Sequence, residues 1–170
     1  AASKMIDEFI ALSLYEEKKV SPIIVRLFNI IGPNQLSKFG MVVPRFIEAA
    51  INDEDILIHG DGSQSRSFTW VDDVVTYLIK LAELKAYGEI FNIGQTEEIT
   101  IKELAELIIE KSNSNSKIIY KSHEEVFGKS FEDPNRRTPG IEKIVEFTGI
   151  KPSKNIEFMV ENIINYKQNN

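Results

Sequence analysis

The chain has 170 residues, 42% of them hydrophobic and 27% charged, which excludes an intrinsically disordered class and fits one domain or one large lobe. Its 20 basic and 26 acidic residues leave a net charge of −6, without the basic stripe on which most nucleic-acid binders depend, so no nucleic-acid partner is expected. The absence of cysteine excludes disulfides, thiolate nucleophiles and cysteine-ligated zinc.

From Ala1 to about Lys19, Met5, Ile6, Phe9 and Ile10 recur at helical spacing, and Lys18 and Lys19 suit a helix C-terminus. Ser21-Pro22 breaks this helix. Residues 22–28 form a β-branched apolar run that predicts a buried strand. Asn29 to Asn34 then reads as a Gly-Pro loop, and a helix follows from about Met41 to Ile51.

A short strand is expected over 55–59, closed by Gly60-Asp61-Gly62, and another over Arg66 to Trp70. Asp72 predicts the cap of a helix reaching about Leu84, with Val74, Val75, Leu78, Ile79 and Ala82 on its inner face. Residues 89–94 read as a strand ending in glycine. Thr100-Ile101-Lys102-Glu103 is a capping box for a helix to about Lys111. Residues 117–121 predict a strand. Thr138-Pro139 predicts a helix start that ends near Gly149, and Asn155 the cap of a last helix with Ile156, Val160, Ile163 and Ile164 inward. Helices alternate with few, short strands, so the class is α/β or α+β.

The apolar runs are too short to span a bilayer, and the N-terminus reads as a helix rather than a signal peptide, so a cytoplasmic protein without membrane contact is expected. His59 and His123 lack metal-ligand spacing, and no metal is expected. The chain has no Gly-x-Gly-x-x-Gly turn and no Walker loop, so by itself it lacks a standard dinucleotide-binding half.

Five segments in order carry a family likeness. Ala1-Ala2-Ser3-Lys4 matches the tail of a Tyr-x-x-x-Lys motif whose Tyr would precede Ala1. Residues 26–33, Arg-Leu-Phe-Asn-Ile-Ile-Gly-Pro, match Arg-x-Phe-Asn-x-x-Gly-Pro. Residues 60–73 match Gly-Asp-Gly-x-Gln-x-Arg-x-Phe-x-x-Val-x-Asp. Phe91-Asn92-Ile93-Gly94 and Arg136-Arg137-Thr138-Pro139 complete the series. The chain resembles the C-terminal half of an extended short-chain dehydrogenase/reductase, of the nucleotide-sugar epimerase, dehydratase and UDP-glucuronate decarboxylase group.

The resemblance implies an α/β fold: the last parallel strands of a Rossmann-like sheet plus a small α/β substrate-binding lobe. Residues 1–40 would be the Rossmann remnant and 41–170 mainly the lobe, with short returns to the sheet. It implies NAD as cofactor and a UDP-glucose 4-epimerase-like reaction through a transient 4-keto sugar, with dTDP-glucose 4,6-dehydratase or UDP-glucuronate decarboxylase as alternatives. Lys4 would be the catalytic lysine, holding the cofactor ribose and lowering the pKa of the Tyr as an adjacent cation does. Without that Tyr and the glycine-rich turn, the chain alone is expected to be inactive. Phe28 would approach the nicotinamide.

Asn29, Arg66 and Arg137 would hold the nucleotide-sugar diphosphate, Arg through its planar fork. Val43 would lie along the base and His59 would stack on it. Each also has a plain reading: Lys4 a solvated helix lysine, Asn29 a turn-former, Arg66 and Arg137 surface ion pairs, Val43 core packing, His59 a half-buried strand residue. Arg136 is the competitor for the role of Arg137, and spacing to Pro139 favours Arg137. Asp72 and Asp73 read as helix-start acids and Trp70 as core or pocket wall. Gly140 stands where the family pattern has a carboxylate. Two rival classes are a non-catalytic module binding a nucleotide-diphosphate sugar, and an assembly piece. In the family the Tyr/Lys helix packs in a dimer bundle, so a homodimer through the N-terminal helix is expected.

Overall fold

The computed structural model describes residues 2–37, 41–122 and 135–169. His123 lies outside them. A helix, α1 (Ala2–Glu16), leads into β1 (Ile24–Leu27) and β2 (Ile30–Ile31); α2 (Val42–Ile51) and β3 (Ile56–His59) follow. Then come β4 (Ser65–Ser67), β5 (Thr69–Trp70), α3 (Val71–Glu83), β6 (Ile90–Ile93) and β7 (Glu98–Thr100). The remaining elements are α4 (Ile101–Ser112), β8 (Ile118–Lys121), β9 (Arg136–Arg137), α5 (Glu142–Thr148) and α6 (Ile156–Gln168).

Three parallel pairs, β1–β6, β2–β5 and β3–β8, lie beside a three-stranded sheet in the order β7-β4-β9. Parallel pairing requires long crossovers, and helices supply them here, which makes the chain α/β.

The apolar residues collect in two cores. One packs Val74, Tyr77 and Leu81 of α3 and Ile144 of α5 on Phe91 and Ile93 of β6, with Val25 of β1 at its edge. The other joins α2, β3, α4 and α6 through Phe46, Ile47, Ile58, Leu104, Ile108 and Ile163. Each fully buried side chain of this size contributes about 1.5–3 kcal/mol. The chain passes between the two cores at Ile30–Ile31 and at Trp70–Val74, where the candidate site lies.

Local signals are obeyed where side chain and backbone meet within one turn. Thr100 Oγ1 accepts from the Glu103 N–H at 3.1 Å and Glu103 Oε2 from the Thr100 N–H at 2.9 Å, completing the capping box. Asn155 Oδ1 accepts from the Phe158 N–H at 2.9 Å and starts α6. Gly149 ends α5 at φ +71°, a conformation glycine adopts without strain. Lys111 of α4 pairs with Glu157 and Glu161 of α6, joining the two helices at the surface.

Several expectations are corrected. The run over 22–28 is not a buried strand: among the described residues β1 has one sheet neighbour, and Arg26 and Leu27 are exposed. Residues 66–70 are not one strand. Ser65–Ser67 pairs with β7 and β9 and Thr69–Trp70 with β2, so the chain changes sheets at Phe68. Asp72 is not the cap of α3. Trp70 holds that position, and Asp72 sits in the first turn and accepts from Trp70 Nε1–H at 3.0 Å.

The inner face of α3 is Val74, Tyr77 and Leu81, while Val75, Leu78 and Ile79 are exposed. Asp72, Asp73, Thr76, Lys80 and Glu83 gather on one side of α3 and leave a broad apolar sector, within which packing against β6 and α5 selects Val74, Tyr77 and Leu81. Thr138-Pro139 does not start a helix; α5 begins at Glu142 after Ile141. The short strands β2, β7 and β9, of two or three residues each, add to the few strands expected. Among the described residues no helix is long and apolar enough to cross a membrane, and no His, Asp and Glu cluster is suited to a metal.

Candidate functional site

The site begins at the carboxyl end of β1, the end where parallel sheets bind ligands. Phe28 continues the strand, its N–H donating to the Ile93 carbonyl at 3.0 Å. Asn29 then turns at φ +40°, a left-handed conformation in which Asn is enriched among non-glycine residues. Three bonds tie this corner to the β4–β5 segment. Asn29 Nδ2 donates to the Ser67 carbonyl at 2.9 Å, Thr69 N–H to the Asn29 carbonyl at 3.0 Å, and Thr69 Oγ1 to the Phe28 carbonyl at 2.7 Å.

A groove of about 890 Å³ opens beside this corner, lined among others by Asn29, Gln35, Val43, Phe68, Asp72 and Tyr166. Its walls are largely apolar with few polar groups, the usual make-up of a small-molecule site. Val43 is buried in the second core and still reaches the groove wall. The loop over 32–35 is held from both sides. Gln35 Nε2 donates to the Ile30 carbonyl at 3.1 Å, and Tyr166 of α6 donates its hydroxyl to Asn34 Oδ1 at 2.7 Å. At Gly32 a Cβ would lie 2.7 Å from Val71 Cγ1, so only glycine lets the loop approach α3 this closely.

Two arginines stand beside the same corner. In the parallel β4–β9 pairing, Arg66 lies opposite Arg137 and Ser65 opposite Arg136. Directly paired residues share a face, and consecutive residues alternate faces. Arg136 is taken by Glu98: Nε donates to Oε2 at 2.8 Å, and Nη2 lies 2.7 Å from the same oxygen. The Arg136 guanidinium, aided by the Ser65 hydroxyl, holds the Glu98 carboxyl down at about 2. Arg137, exposed, makes no ion pair among the described residues, which separates it from Arg136. Arg66 Nη1 donates to the Ser65 carbonyl at 2.6 Å. Arg66 is the residue before Ser67, whose carbonyl accepts from Asn29, so the backbone of one short strand links Asn29, Arg66 and Arg137, while only Asn29 of the three lines the groove.

The other expected residues fall elsewhere. His59 ends β3, half-buried and opposite Lys121, and its carbonyl accepts from Gln64 Nε2 at 2.9 Å; it does not line the groove. Lys4 lies on α1 with its side chain 85% exposed and its ammonium 3.0 Å from Asp7. Gln35, Phe68 and Tyr166 were not candidates in the sequence. Tyr166 had no signal, because it reaches Asn34 across 132 positions.

The model of a family described as the NAD dependent epimerase/dehydratase family matches residues 1–94. The chain is 38% identical over 154 residues to the UDP-N-acetyl-alpha-D-glucosaminuronate decarboxylase of Bacillus cytotoxicus, covering 90% of this chain and 48% of that protein. It is 34% identical over 149 residues to UDP-glucuronic acid decarboxylase 4 of Arabidopsis thaliana, covering 88% of this chain and 32% of that one. The chain thus spans half or less of the length of these curated relatives. The crystal structure of UDP-glucose 4-epimerase with UDP-glucose from Thermotoga maritima has a TM-score of 0.87 at 26% identity, over 99% of this chain and 52% of that one.

Proposed function

Because the chain belongs to the NAD-dependent epimerase/dehydratase family, we propose that it forms the substrate-binding half of an NAD-dependent enzyme acting on a UDP-linked sugar. The observation that carries this reading is the register pairing of Arg66 with Arg137, one residue away from the Ser67 carbonyl that anchors Asn29. Two guanidinium forks on one face offer parallel N–H donors to a diphosphate. The amide of Asn29 fixes the corner from which the sugar end extends, and the apolar wall at Val43 takes the base. His59 does not line the groove and is given no part in holding the base.

The chain fits one flank of NAD. Phe28 sits half-buried at the open carboxyl end of β1, beside exposed Leu27, and Lys4 supplies an exposed ammonium for ribose hydroxyls. Bound NAD supplies the hydride acceptor and donor for oxidation and reduction at a sugar carbon. Lys4 contributes positive charge that favours an ionised acid/base partner. Asn29, Arg66 and Arg137 bind and orient the substrate.

The names of the relatives at 34–38% identity favour a uronic-acid decarboxylase within the family. The second reading, a UDP-glucose 4-epimerase-like reaction through a 4-keto sugar, is supported by the likeness to the Thermotoga maritima enzyme over 99% of this chain and 52% of that one. Incubating the whole enzyme with UDP-glucuronate and NAD separates them: carbon dioxide release supports the first, and a C4 epimer without gas the second.

The binding claim is tested on this chain by calorimetry. UDP binds, uridine binds much more weakly, and Arg137→Ala abolishes the difference. Equal affinity for UDP and uridine overturns the diphosphate assignment. Met5, Ile6, Phe9 and Ile10 of α1 are all more than half exposed, the basis for a homodimer through this helix. Light scattering that finds a monomer overturns that part.

A further inference from the structure

Arg26 opens the segment that carries Phe28 and Asn29, yet among the described residues it is not part of the groove lining. Its fork is closed on α1 instead. Nε donates to Glu8 Oε1 at 2.8 Å and Nη2 to Glu8 Oε2 at 2.7 Å, a bidentate bond across 18 positions. The Glu8 side chain is 22% exposed in this contact and that of Arg26 50%. A half-exposed pair contributes little to stability, but the bidentate form fixes direction and distance between two elements.

A second contact sets the other end of α1. Gly88, just before β6, lies against the Tyr15 ring: a Cβ there would fall 2.2 Å from Tyr15 Cε1. Gly88 is bonded to Pro22 at the amino end of the β1–β6 pair, and Arg26 lies towards the carboxyl end. The helix therefore runs antiparallel to β1, from Lys4 at the carboxyl end to Tyr15 at the amino end. Lys4 and Glu8, four residues apart, share a helix face and differ by about 6 Å along the axis. Arg26 and Phe28, two residues apart in the strand direction, differ by about 6.6 Å. The two offsets match.

We infer that the Glu8–Arg26 pair is a positioning device that holds Lys4 level with Phe28 at the carboxyl end of β1. The inference rests on the reading of Lys4 and Phe28 as cofactor-side residues. Glu8 and Arg26 act through Lys4 and need no contact with the cofactor. The Arg26 guanidinium also holds the Glu8 carboxyl below the usual carboxylate range, so the pair stays charged at neutral pH.

The chain has no cysteine, so two labels can be placed without background. Nitroxides are attached to cysteines introduced by Lys4→Cys and Leu27→Cys, and their separation is measured by pulsed electron spin resonance. One narrow distance distribution is expected. Glu8→Gln broadens it, and the exchange Glu8→Arg with Arg26→Glu narrows it again. An unchanged width in Glu8→Gln, or a width that stays broad in the exchange, overturns the inference. The reading beneath it is tested separately by NAD affinity of the whole enzyme carrying Lys4→Met. Unchanged affinity there overturns the role of Lys4, while the label distances still judge the pair.

Discussion

The side-chain amide of Asn29 donates to the Ser67 carbonyl at 2.9 Å while its backbone stands at φ +40°. One residue thus makes the turn at the end of β1 and ties that turn to the strand carrying Arg66. Asn29→Ala loses the bond and places a less suited residue in a left-handed conformation, so stability falls by about 1–2 kcal/mol. Asn29→Gly loses only the bond, about 1 kcal/mol. Urea denaturation measures both. If Asn29 also contacts the ligand, the glycine variant binds UDP several-fold more weakly; UDP affinity equal to that of the parent chain refutes the ligand role.

Arg136 and Arg137 are neighbours with opposite expected effects. Arg137→Ala weakens UDP binding and leaves the melting temperature unchanged. Arg136→Ala removes the partner of Glu98 and destabilises the β4–β9 edge with little loss of UDP affinity. The Glu98 carboxyl titrates at about 2 in the fold against 4.5 in an unperturbed chain, and a depressed carboxylate stabilises the folded state when ionised. Its contribution is complete above about 4.5 and is lost as pH falls from there through about 2. Urea midpoints across that window show a steeper acid loss in the parent chain than in Arg136→Ala.

Tyr166 spans from the last helix to the loop that forms one side of the groove. Tyr166→Phe keeps the ring and removes the 2.7 Å bond to Asn34. At this exposed position the stability cost is small, about 0.5 kcal/mol. The freed loop raises the Kd for UDP several-fold in calorimetry. An unchanged Kd means that the hydroxyl serves folding alone.

Gly88 stands at φ +77° with the Tyr15 ring where a side chain would be. Gly88→Ala lowers the melting temperature, from the clash and from about 1 kcal/mol of left-handed backbone strain. Adding Tyr15→Ala removes the clash and leaves the backbone cost. The double variant therefore melts above the value expected from adding the two single losses.

What the sequence by itself determined are features whose two partners lie within one turn of chain. The Thr100–Glu103 box, the Asn155 cap and the left-handed glycine at 149 are of this kind. A side chain meeting backbone three residues away needs only spacing, and spacing is written in the order of residues. The family motifs were legible for the same reason, and they named Asn29, Arg66 and Arg137.

Tertiary structure alone decided what depends on a distant partner. The run over 66–70 divides between two sheets because its pairing partners come from residues 30–31, 98–100 and 136–137. The buried face of α3 is chosen by β6 and α5, since the apolar sector of the helix is wider than the strip they cover. The opposition of Arg66 to Arg137 is a register, and the bond from Tyr166 to Asn34 joins residues 132 positions apart. Such contacts form only when packing of the two cores brings the segments together, because neither partner carries a local signal of the other.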